Sequence, residues 1–104
     1  MNVLAEPIKE GLDAAPRFAA LAHPARLKIL RHLACRDACC CKDVVERLDL
    51  AQSTVSQHLK ILVEAGLVTY RPERPRSRYA LDRAALTELS RDLDDLVRFC
   101  CAPR

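Results

Sequence analysis

Apolar residues recur at helical spacing in several stretches of the chain and alternate with polar ones in another, which predicts a mainly α domain carrying a two-stranded β-hairpin. Over residues 6–21, Ile8, Leu12, Ala15, Phe18 and Ala19, with Ala22 just beyond, lie near helical spacing. Pro7 is accommodated in the first turn, while Gly11 and Pro16 weaken the helix. Pro24 follows His23 and opens a second helix to residue 34, whose Leu27, Leu30, Leu33 and Ala34 are expected in the core. Residues 43–48 form a short helical segment, and Asp49, Leu50 and Ala51 connect it to a helix over 52–65. There Val55, Leu59, Leu62 and Val63 are apolar, and Gly66 suits a left-handed stop. Residues 67–71 and 78–81 alternate as strands, joined through residues 72–77. Asp82 or Arg83 then starts a last helix in which Leu86, Leu89, Leu93, Leu96, Val97 and Cys100 repeat at intervals of three and four. So clean a stripe needs a partner surface, either its own domain or a two-fold dimer seam.

The chain's 104 residues suffice for one core but not two, so residues 1–104 are expected to form a single domain. Half the residues are hydrophobic and 30% are charged, a globular composition rather than a disordered one. No apolar run approaches the roughly 20 residues a bilayer requires, and the first ten residues lack the pattern of a secretory signal. The expectation is a soluble cytoplasmic protein with no membrane partner. With two Gly, no Trp and four aromatics, a sandwich or barrel is disfavoured, and neither GxGxxG nor GxxxxGK[ST] can be written from the chain. That argues against nucleotide-dependent chemistry. No organic cofactor is expected, and the chain is expected not to be an enzyme.

A net charge of +3 is too mild to announce nucleic-acid binding. Its distribution says more. Residues 71–83 hold Arg71, Arg74, Arg76, Arg78 and Arg83 against Glu73 and Asp82, a surplus equal to the net charge of the whole chain. This basic hairpin follows two short helices separated by about three residues, the second rich in small polar side chains, which is the helix-turn-helix pattern.

The run from Ser53 to Leu62, followed by Glu64, Ala65, Gly66, Leu67 and Val68, resembles the recognition helix and the start of the wing in the ArsR/SmtB family of metal-responsive bacterial repressors. The run from Ala22 to Leu30 is similar to that family's second-helix signature. The resemblance spans about residues 17–99. It implies a winged helix-turn-helix homodimer that binds double-stranded operator DNA and lets go when an inducer binds. In that frame residues 43–65 are the helix-turn-helix, 67–82 the wing, and 6–22 and 83–101 the dimerisation helices. Gln52, Ser53, Thr54, Ser56, Gln57, His58 and Lys60 would then face DNA. Gln57 is suited to adenine, Thr54 to a thymine methyl, and Ser53 or Ser56 to phosphate. Arg71, Arg74, Arg76 and Arg78 would contact phosphates or the minor groove.

Six cysteines fall in two clumps, Cys35, Cys39, Cys40 and Cys41, then Cys100 and Cys101, with spacing unlike a disulfide framework. Three convergent thiolates without histidine suit trivalent arsenic, or antimony, and arsenite is also the inducer the resemblance implies. The family's C-x-C-x-x-C pattern maps onto Cys40, Lys42 and Val45, retaining its first ligand. In an extended segment Cys39 and Cys41 would share a face. The expected ligands are therefore Cys39, Cys40 and Cys41, with Cys35, Cys100 and Cys101 as alternatives or additions. Zinc and cadmium fit less well, since residues 83–99 contain no histidine. His23, His32 and His58 are expected at the core edge, at the surface and facing DNA. A repressor of the same fold that senses oxidants or persulfides through Cys35 and Cys100 is the alternative, and a small thiol oxidoreductase ranks below both.

Overall fold

In the computed structural model, residues 13–103 are described, so the part of the first expected helix before residue 13 lies outside them. Helix α1 covers Ala15–Leu21, with Pro16 in its first turn, where a missing N–H costs no hydrogen bond. The proline expected to weaken this helix instead sits at its start. Helix α2, Pro24–Ala34, is opened by extended His23, whose ring Nδ1 accepts the Ala25 N–H at 3.1 Å. His23 therefore acts as an N-cap rather than as an edge of the core. Ile29, Leu30 and Leu33 turn inward from α2, whereas Leu27 and Ala34, expected in the core, are exposed. The reason is angular: these two lie about 100° round the helix from the centre of the buried stripe.

Helices α3, Cys41–Leu48, and α4, Gln52–Glu64, are joined by a turn in which Asp49 adopts a left-handed conformation, φ 55°. Val55, Leu59 and Leu62 form the buried stripe of α4 at helical spacing. The helix stops at Gly66, φ 81°. The Gly66 N–H donates to Val63 O at 2.9 Å and the Leu67 N–H to Leu62 O at 3.0 Å, a Schellman closure that a side chain at residue 66 would strain.

Strands β1, Val68–Glu73, and β2, Arg76–Leu81, pair antiparallel from Val68 opposite Leu81 to Glu73 opposite Arg76. The hairpin is longer than the alternation suggested, because Pro72 sits on an edge strand that asks no N–H of it. Val68, Tyr70 and Tyr79 share one face with Leu81, and the tyrosine rings lie 5.4 Å apart. The opposite face carries Arg71, Glu73, Arg76 and Arg78. Helix α5, Arg83–Cys101, begins at Asp82, which accepts the Ala85 N–H at 3.0 Å. Only Ala85 and Leu89 of this helix are buried. Together these elements make a winged helix-turn-helix, mainly α with one hairpin.

Val44, Val55, Leu59, Leu62 and Leu67 are wholly enclosed between α2, α3, α4 and the start of β1. Replacing Leu59 by Ala removes a side chain with no exposed surface and should cost about 2–5 kcal/mol. Urea titration should show a lower midpoint at unchanged slope.

Candidate nucleic-acid interface and thiol cluster

Burying Val55, Leu59 and Leu62 leaves the opposite side of α4 to solvent. Gln52, Ser53, Thr54, Ser56, Gln57 and Lys60 are all exposed there, as a groove-reading helix requires. His58 stands apart from them. It is half-buried, its ring lies 4.5 Å from that of His23, and its Nδ1 lies 3.4 Å from Nη1 of Arg26. Burial, then the charges of His23 and Arg26, hold its pKa below the ordinary histidine value. His32, expected at the surface, is likewise half-buried, with Nε2 enclosed and unpartnered.

On the wing, Arg71, Arg74, Arg76 and Arg78 are exposed. Arg71 stands directly opposite Arg78, a like-charge pair that opposes strand pairing. Glu73 moderates it, with Oε2 3.7 Å from Arg71 Nε and Oε1 3.6 Å from Arg78 Nε. Such exposed pairs contribute little to stability, so the guanidinium groups remain free to exchange Glu73 for another anion.

The three consecutive cysteines do not share one extended face. Cys39 is extended and pairs with Tyr79: the Cys39 N–H donates to Tyr79 O at 3.0 Å and the Tyr79 N–H to Cys39 O at 2.8 Å. Cys40 is the residue before α3, and Cys41 is already helical. The helix begins two residues earlier than periodicity suggested because Asp43 closes its first turn. The Asp43 carboxylate accepts both the backbone N–H and the thiol of Cys40, each at 3.4 Å. Those hydrogen bonds, the thiol's first, hold the Asp43 carboxyl below its usual range. A Cys-x-x-Asp capping arrangement is the signal that could have revealed this start.

Cys39 is 1% exposed and belongs to the hydrophobic core. Burial above all, then Asp43, pushes its thiol pKa up, and burial followed by Cys40 does the same for Cys41. Cys35, Cys100 and Cys101 are exposed, and all six cysteines are free thiols. Among the described residues no three His, Cys, Asp or Glu side chains are grouped as a metal ion would need. What the fold does bring together is Cys40 and Cys41 with the interface. A cleft of about 280 Å³ between wing and helix-turn-helix is lined by both cysteines and by Gln52, Ser56, Arg76 and Tyr79. A second cleft, beside it, places Cys40 and Asp43 against Arg74, Arg76 and Arg78.

Residues 21–71 match the family model described as a helix-turn-helix domain. The chain is 38% identical over 74 residues to the arsenical resistance operon repressor of Staphylococcus xylosus, covering 71% of this chain and 70% of that protein. An ArsR-like transcriptional regulator from Rhodococcus sp. RHA1 superposes with a TM-score of 0.73 at 27% identity, over 81% of this chain and 78% of that one. A possible ArsR-family regulator from Mycobacterium bovis, described as a homodimeric winged helix-turn-helix DNA-binding domain, superposes with a TM-score of 0.68. It is 25% identical, over 88% of this chain and 82% of that one.

Exposure and thiol basicity together order the reactivity of the cysteines. In the unliganded, DNA-free protein, alkylation at neutral pH should modify Cys35 at least about tenfold faster than Cys39. Peptide mass mapping over time reads both sites.

Proposed function

The chain belongs to the ArsR/SmtB family of winged helix-turn-helix transcriptional repressors, and from that premise we propose that it grips operator DNA as a homodimer and releases it when Cys39, Cys40 and Cys41 capture trivalent arsenic, or antimony. The family consists of DNA-binding regulators rather than enzymes. The observation that carries the reading is the shared cleft, where two thiols stand beside Gln52, Ser56 and Arg76. A ligand on those thiols cannot leave the DNA-facing surface undisturbed.

Gln52, Ser53, Thr54, Ser56, Gln57 and Lys60 present the reading surface, and Arg71, Arg74, Arg76 and Arg78 the phosphate-binding one. A dimer sets two such surfaces one helical turn of DNA apart. The seam is α5: Leu93, Leu96 and Val97 are 49, 51 and 48% exposed, an apolar stripe open to a partner. The relative described as homodimeric supports pairing of two copies. No helix among the described residues is long and apolar enough to cross a membrane, so the stripe does not read as a membrane span.

The donor chemistry fits a soft, thiophilic centre, since the cluster offers thiols and no histidine. Cys40 and Cys41 already reach one cleft, and Cys39 is the third thiol within the same run. Bound there, trivalent arsenic would supply three sulfur bonds that pull the run together. To take part, Cys39 must leave the core, and its two hydrogen bonds to Tyr79 cannot survive unchanged. Because Tyr79 lies on β2 with Arg76 and Arg78, freeing it shifts the wing arginines. Tenfold weaker operator binding requires a differential of only about 1.4 kcal/mol, comparable to one net hydrogen bond.

Cys39→Ser/Cys41→Ser should bind operator yet resist release by arsenite in a gel-shift titration. Release unchanged from wild type would reject this ligand set in favour of Cys35, Cys100 and Cys101. Neutralising Arg74, Arg76 and Arg78 together should weaken operator binding and flatten its log–log salt dependence by about 0.9 for each phosphate no longer neutralised. Leu93→Glu/Leu96→Glu should sediment as a monomer and lose at least about tenfold in operator affinity.

A further inference from the structure

Arg26, on α2, stands where three helices meet. Its Nε donates to the Ala20 carbonyl near the end of α1 at 2.7 Å, and its Nη1 lies 3.4 Å from His58 Nδ1 on α4. A guanidinium has only donors, so in this contact Nδ1 of His58 is the unprotonated acceptor. On its other side the His58 ring rests tilted by 54° on His23, the cap of α2. The side chain at the middle of the reading helix is thus held from behind by α2, and through Arg26 by α1. Its neighbours on α4 have no such anchor: Gln57 and Lys60 are simply exposed.

Resting on the repressor reading above, we infer that Arg26 is a positioning residue for the recognition helix, acting through the neutral imidazole of His58, so that His58 orients α4 instead of contacting DNA. This revises the role expected of His58 from its place in the motif. It also gives α1 a route to the reading surface that bypasses the thiols: Ala20 carbonyl, Arg26, His58.

The two roles respond to acid in opposite directions. A histidine that touched phosphate would bind DNA more tightly once protonated. A histidine that must accept from Arg26 loses its lone pair on protonation and sets a second cation against the guanidinium. Among the described residues, the charged or titratable groups acting on the ring are His23 and Arg26, both from the α2 side. The α1 contribution is the neutral Ala20 carbonyl, which Arg26 rather than His58 contacts. Among the described residues no carboxylate acts on the ring to offset the added charge. Burial and those two neighbours favour the neutral ring, so its loss falls below the ordinary histidine range.

The test uses the full chain, kept reduced, and a duplex selected from a random library for tight binding to the wild type. Affinity is measured from about pH 8 to about pH 5.5 for wild type and for His58→Asn, whose amide oxygen replaces the Nδ1 acceptor without titrating. Circular dichroism at each pH confirms that both remain folded. Wild-type affinity should fall on acidification by about tenfold more than that of the variant. In Arg26→Met the difference should vanish, and the losses of Arg26→Met and His58→Asn at pH 8 should not add in the double variant. Wild-type affinity that rises or stays level as pH falls, or curves for wild type and His58→Asn that fall in parallel, would overturn the inference while leaving the repressor reading intact. A selection that enriches no duplex would instead overturn that reading, and this inference with it.

Discussion

Two backbone hydrogen bonds between Cys39 and Tyr79 tie the cysteine segment to the wing, and much of the functional geometry depends on them. They make the segment before α3 a short third partner of the hairpin, on the open edge of β2. Cys39 is thereby driven into the core, Cys40 is left where α3 begins, and Cys41 is carried into its first turn. Three neighbours in sequence consequently occupy three environments. Under the proposed function, a ligand that needed all three thiols would have to break this pairing, and its binding would reach the wing through Tyr79.

The recognition helix is subject to a second constraint. Its buried stripe, Val55, Leu59 and Leu62, fixes its rotation against α2 and α3, and rotation decides which polar side chains point outward. Apolar packing alone tolerates small shifts, because dispersion and burial are weakly directional. The contact from Arg26 to His58 and the tilted ring contact of His58 with His23 are directional and act one residue before Leu59. Packing and polar anchoring together specify the helix more tightly than either does alone.

Helix α5 shows the opposite case, with most of its apolar stripe exposed among the described residues. After Leu89 its apolar stripe continues into solvent, ending at Phe99, which is 76% exposed. An exposed salt bridge, 3.1 Å, links Arg17 of α1 to Glu88 near the buried end of α5. Beyond that point the helix has the pattern of a core surface without a core.

Periodicity, punctuated by Pro24, Gly66 and Asp82, is enough to place helices α2, α4 and α5, the hairpin, and the Gly66 stop. Each is governed by interactions within a few residues, and the motif resemblance identified the family. The exposed polar residues of α4 and the wing arginines were equally legible, since a helix or hairpin that buries one face must show the other. The environments of Cys39, Cys40, Cys41 and His58 were not. Cys39 is fixed by Tyr79, forty residues away, and His58 by Arg26, thirty-two residues away. Local patterning cannot weigh such partners, because each contact exists only after the intervening helices have packed. Which chemical groups the protein displays therefore follows from its residues alone, whereas which thiols are enclosed, which histidine is anchored and which face of α5 is left for a partner follow from how the helices pack.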